Sequence, residues 1–159
     1  MTAIDSALSK LPPQAPKNQR MGMAYMAQAT RAYYQLARGD STAATKEFEL
    51  VSDSLVQYPL DQFVRARLIA RTDPKRAYQM MSEKKLTGDL VSVARELEVA
   101  RLGEKLGDTP RAVDAYAFVA NAWQHTDNEQ LKNAVKESRD ALKRLDSDGR
   151  VRAQLANPR

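Results

Sequence analysis

Gly39-Asp40-Ser41-Thr42-Ala43-Ala44 and Gly107-Asp108-Thr109-Pro110-Arg111-Ala112 share a glycine-aspartate step followed by an alanine at the same offset. The two steps lie 68 positions apart (107 − 39), which is two periods of 34. Between them Thr72-Asp73 leads to Ala77 with the same aspartate-to-alanine spacing, so the intervals between aspartates are 33 and then 35. Glycine tolerates the left-handed backbone that ends a helix, and aspartate accepts an amide hydrogen bond at the start of the next one. Each copy therefore reads as the turn of a helical hairpin. Repetition at this period implies a stack of such hairpins, in which each pair covers its oily side with its neighbour.

The composition agrees. The chain has 159 residues, 43% of them apolar, with 6 glycines and 7 prolines, and good helix formers dominate the rest. No long Val/Ile/Thr run with two-residue alternation supplies a sheet. Cysteine is absent, which excludes disulfides, thiolate metal sites and cysteine nucleophiles, and a lone His125 builds no metal cluster. No apolar run is long enough to span a bilayer. The compartment is open; a cytoplasmic location is expected if the chain is complete.

Residues 1–20 read as an arm and linker, with Leu11-Pro12-Pro13-Gln14-Ala15-Pro16 favouring extended geometry. Residues 21–146 form the helical domain, and 147–159 a frayed tail. The first helix is expected over Met23–Arg38, ending at Gly39. The second starts after Asp40 with Ala44, Phe48, Val51 and Leu55 on one face, and breaks at Tyr58-Pro59. The third covers about Leu60–Arg71. Asp73-Pro74 opens the fourth, with Ala77, Met80 and Met81 inward, Lys84-Lys85 in its last turn and Thr87-Gly88-Asp89 as the connection. The fifth covers about Asp89–Leu106, and Thr109-Pro110 starts the sixth, with Ala112, Val113, Tyr116, Val119 and Trp123 in line. A last helix, about Asn128–Asp146, has a narrow apolar stripe of Leu131, Val135, Leu142 and Leu145. A one-sided helix suits the end of a stack.

The chain resembles the tetratricopeptide repeat family in these markers. Phe48, Met81 and Tyr116 fall four positions after the marker alanines, where that family places a bulky side chain, and Ala100 sits at its close-contact position in a first helix. The stretches 96–108 and 115–125 resemble the C-terminal repeats of large bacterial tetratricopeptide proteins linked to kinase or regulator domains. The resemblance covers about residues 23–145. It implies an all-α fold, a right-handed superhelix of antiparallel helix pairs, with about three pairs and a C-terminal capping helix. It also implies a non-catalytic protein-protein interaction scaffold. No asparagine occurs between Met21 and Leu106, so the carboxylate clamp of some members is not expected.

A convergent reactive set is missing. There is no glycine-rich phosphate loop and no G-x-S-x-G elbow. His125 falls at a helix end, and Glu96 and Glu98 point to different helix faces. Neither catalysis nor a cofactor or metal is expected. Trp123 reads as packing against the closing helix. The first helix carries Tyr25, Met26, Tyr33, Tyr34 and Leu36 on several sides and needs cover on most of them. That face is expected to associate with a partner or a second copy. In tetratricopeptide stacks the first helix of each pair lines the groove, which makes Tyr33, Gln62, Arg101 and Lys105 the expected contacts for a peptide or partner domain. Glu98 and Glu104 are alternative partners for the two cations within their own helix.

The net charge of +5 supports a second reading. A nucleic-acid-associated helical domain would use the basic cluster Arg65, Arg67, Arg71, Lys75 and Arg76. Aromatics are not interleaved with those charges, which counts against single-strand binding.

Overall fold

A computed structural model describes residues 6, 9, 10, 12, 14–51, 58–83 and 90–146. Among the described residues there are seven α-helices and no strand: α1 (Lys17–Ala37), α2 (Ser41–Glu49), α3 (Pro59–Ile69), α4 (Pro74–Ser82), α5 (Leu90–Leu106), α6 (Thr109–Ala122) and α7 (Glu129–Leu145). The all-α expectation holds. Leu55, Lys84, Lys85, the Thr87-Gly88-Asp89 turn and the tail 147–159 lie outside the described residues.

Boundaries differ from the sequence reading in α1, α2 and α3, the last of which ends at Ile69 rather than Arg71. Helix α1 starts at Lys17, six residues before Met23, with Pro16 as an N-cap that offers no side-chain hydrogen bond. Helix α2 stops at Glu49, and Val51 is buried from a bend beyond the helix end.

The Gly-Asp steps do two jobs. Gly39 and Gly107 have φ of 81° and 82°. A Cβ at either would meet open space, so the backbone angle alone selects glycine. The Gly39 amide donates to the Leu36 carbonyl and the Asp40 amide reaches back to Gln35 at 2.9 Å; Gly107 to Glu104 and Asp108 to Gly103, at 2.9 Å, repeat the arrangement. This double closure satisfies carbonyls that the helix end leaves open. The same aspartates then open the next helix: Asp40 accepts from the Ala43 amide at 2.8 Å and Asp108 from the Arg111 amide at 3.3 Å. Asp73 does likewise for Arg76 at 2.9 Å. Proline follows at Pro74 and Pro110, where its missing N–H deprives the helix of nothing.

The chain divides into two compact units, residues 1–69 and 70–159. In the first, α1 packs on α2 and α2 on α3. Its core gathers Tyr25, Ala29, Ala32, Ala44, Phe48, Val51 and Leu68, with Tyr33, Leu36 and Val64 at the margin. The Tyr33 ring meets Phe48 edge-on, centroids 5.7 Å apart. In the second unit α4 packs on α5, α5 on α6 and α6 on α7. Leu97, Val99, Ala100 and Leu102 of α5 are buried with Ala112, Val113, Tyr116 and Val119 of α6. Glu96, 3% exposed, accepts from Arg111 at 2.6 Å and ties these two helices. Helix α7 buries only Ala134, Val135, Ser138, Ala141 and Leu142, and the Ser138 hydroxyl is satisfied by the Ala134 carbonyl.

The alanines mark the repeat more sharply than the turns do. Ala44, Ala77 and Ala112 are each 0% exposed, and the residues four positions on, Phe48, Met81 and Tyr116, are all at or below 2%. Ala32, Ala66, Ala100 and Ala134 stand 34 apart without deviation, one each in α1, α3, α5 and α7, and all four are buried. Ala100 alone had been legible as a close-contact position. Small side chains at buried positions of this kind let packed helices approach closely.

Candidate partner-binding surfaces

In the first unit, α1 and α3 are joined by one carboxylate. Asp61, in the first turn of α3, accepts from the Tyr33 hydroxyl at 2.5 Å and from the Tyr25 hydroxyl. Tyr25 also stacks on Tyr58, with ring centroids 6.0 Å apart. Both phenols are pushed above their ordinary pKa, by burial first and then by the hydrogen bond to Asp61. Tyr25 is buried and Tyr33 half-buried, so the cover that α1 needs for these rings comes from its own unit. Met26 and Tyr34 remain outward, at 49% and 57% exposure. The Arg38 guanidinium lies 5.6 Å over the Tyr34 ring. Gln62 is half-buried on α3 beside Asp61 in sequence.

In the second unit, α5 and α7 are joined the same way with opposite chemistry. Arg101 forms a fork on Glu137, Nε to Oε1 at 2.7 Å and the terminal nitrogen to Oε2 at 2.6 Å, and reaches Glu98 at 3.1 Å. Arg144 of α7 returns to Glu104 of α5 at 2.7 Å, and the Tyr116 hydroxyl of α6 donates to the same carboxylate at 3.0 Å. The fork holds the Glu137 carboxyl below its usual range. Glu98 was a foreseen partner of Arg101; Glu137 was not, because it lies 36 residues away on another helix. Lys105, by contrast, is exposed in the last turn of α5 and, among the described residues, forms no ion pair.

Tyr33 and Arg101 are themselves 68 residues apart, so they occupy one register position in the repeat. Each donates to a carboxylate of the next-but-one helix. The structure therefore brings Tyr25 and Tyr33 together on Asp61, engages Arg101 internally, and leaves Lys105 outward.

No protein family, curated protein or solved structure matches the chain.

The basic cluster of the second reading loses a member. Arg65 is 3% exposed and lies in the wall of the first unit. The Arg67 guanidinium lies 5.6 Å over the Phe63 ring. Arg71 and Lys75 are exposed and Arg76 is half-buried, in the second unit. Among the described residues no group of acidic or histidine side chains is placed to hold a metal, and no helix is long and apolar enough to cross a membrane. His125 is exposed in the turn after α6.

Proposed function

We propose that the chain is a protein-protein interaction scaffold of the tetratricopeptide type, binding a peptide or partner domain without catalysis. In this reading the helix pairs progress as a right-handed superhelix, α7 closes it, and the odd-numbered helices line a groove. The observation that carries the proposal is the recurrence of buried small residues: Ala32, Ala66, Ala100 and Ala134 in the odd helices, with Ala44, Ala77 and Ala112 in the even ones. Stacked pairs need such contacts, and stacks present long binding faces rather than reactive clefts. In this reading Lys105, exposed on α5, would meet a carboxylate of the partner, and Gln62 on α3 would add a polar contact. Self-association through α1 would use Met26 and Tyr34, the outward residues, in place of Tyr25.

The burial of Arg65 favours this reading over nucleic-acid association. A peptide-display selection on the full chain tests it, followed by calorimetry of enriched sequences. Saturable one-to-one binding, weakened by Lys105→Glu, is expected. Enrichment no better than for scrambled peptides would end the scaffold reading. Polynucleotide binding that collapses steeply with salt would support the alternative.

A further inference from the structure

Helix α7 carries Lys132, Lys136, Arg139 and Lys143 at steps of four, three and four, which puts the four cations on one stripe. That stripe borders the buried face at Val135. Opposite it, the turn that follows α6 presents Trp123, half-buried as the C-cap residue of that helix. Between them is an open pocket of about 330 Å³, lined by Trp123, Val135 and the four cations, with Gln124, Thr126 and Asp140. The single acidic residue in the lining is Asp140, which accepts from Lys136 at 2.8 Å and from Lys143 at 3.0 Å. Lys132 is held by Glu129 at 2.6 Å. Arg139 is exposed and, among the described residues, pairs with no carboxylate.

We propose that this pocket binds an acidic peptide, taking one apolar side chain against the Trp123 indole and Val135 while Arg139 and the flanking lysines hold the carboxylates beside it. The proposal rests on the scaffold reading and names the partner's chemistry at one end of it. The volume is at the lower limit of ligand pockets, roughly 300 Å³, which suits one side chain rather than a whole cofactor. Four cations against two carboxylates, Asp140 and Glu129, still leave a positive surplus that selects for negative charge, and a planar guanidinium outside those pairs is the group best shaped to grip a carboxylate in a fork. A single-stranded nucleic acid is the competing occupant. Strand binding uses a continuous basic track with successive stacking rings. Here there is one ring, and three of the four cations are already paired.

Trp123 is the chain's sole tryptophan, so its fluorescence reports directly on the pocket. The full chain is titrated with a blocked peptide of six glutamates around a central leucine. Expected are a saturable shift in emission, about tenfold weaker binding for Arg139→Glu, partial retention for Arg139→Lys, and weakening as salt rises. Peptides with glutamine for glutamate, or serine for leucine, bind at least several-fold more weakly. Arg139→Glu keeps its helical circular dichroism, because the residue is exposed and unpaired; anisotropy of a labelled peptide extends the test to Trp123→Ala. Equal affinity for the glutamine peptide, or for the Arg139→Glu chain, overturns the proposal. So does tighter binding of oligothymidylate with a steep salt slope. Should peptides selected on the chain bind equally well to Arg139→Glu but not to Lys105→Glu, the pocket proposal fails while the scaffold stands. If no peptide binds at all, both fall.

Discussion

Asp61 gathers two tyrosine hydroxyls of the first unit on one side chain. Two phenols, one of them buried, depend on it. Removing a charged acceptor leaves both hydroxyls to find water that cannot readily reach Tyr25, so Asp61→Ala is expected to lose about 2 kcal/mol. Urea unfolding should show a lowered midpoint with the slope unchanged. The alanines at 34-residue intervals make the opposite test. Ala100→Leu forces extra methylenes into a position that is 0% exposed, at a cost of about 1–3 kcal/mol. The same denaturation curve measures it, and an unaffected midpoint would mean the helices are not in close contact there. Sequence alone showed that Tyr25 and Tyr33 needed cover. It could not show where the cover came from, since Asp61 is 36 and 28 residues downstream and nothing local couples them.

Helix starts were legible wherever a side chain makes the cap. Asp40, Asp73 and Asp108 each offer a carboxylate to an amide three residues on, a pattern written in the residues themselves. The start of α1 was not legible, because Lys17, Asn18, Gln19 and Arg20 are all exposed and carry no apolar period, and Pro16 lends no side-chain acceptor. Contacts between next-but-one helices were equally hidden. Asp40→Ala is expected to lower stability by about 1 kcal/mol. Asp108→Ala should cost more, since that carboxylate also accepts from the Tyr78 hydroxyl at 2.7 Å; thermal melts of the two variants rank them. The α5–α7 tie is weaker. Arg101 and Glu137 have side chains 42% and 37% exposed, and solvent screening keeps even a forked pair near about 0.5–1 kcal/mol. Because the Glu137 pKa is lowered, this contribution is present above the ordinary glutamate range of about 4.3 and fades as pH falls below it. Glu137→Gln should therefore flatten the acid limb of a stability-pH curve.

Over the described chain, alkaline sensitivity follows from the tyrosines. Tyr25, Tyr33 and Tyr116 all have raised pKa values, through burial first and a neighbouring carboxylate second. An unfolded chain releases phenol protons near pH 10, whereas the folded chain retains these three, so stability is full below that pH and declines as pH rises through and beyond it. Helical circular dichroism should start to fall above about pH 10, and the late rise in phenolate absorbance should coincide with that loss. If those rings ionise while the helices persist, their hydroxyls are not held as described. One carboxylate gripping two hydroxyls also sets a covalent limit. Phosphorylating Tyr25 or Tyr33 would press a near-dianion against Asp61 and drive α1 off α3. A tyrosine kinase could modify either ring only while the first unit was open, and the added group would then keep it from closing.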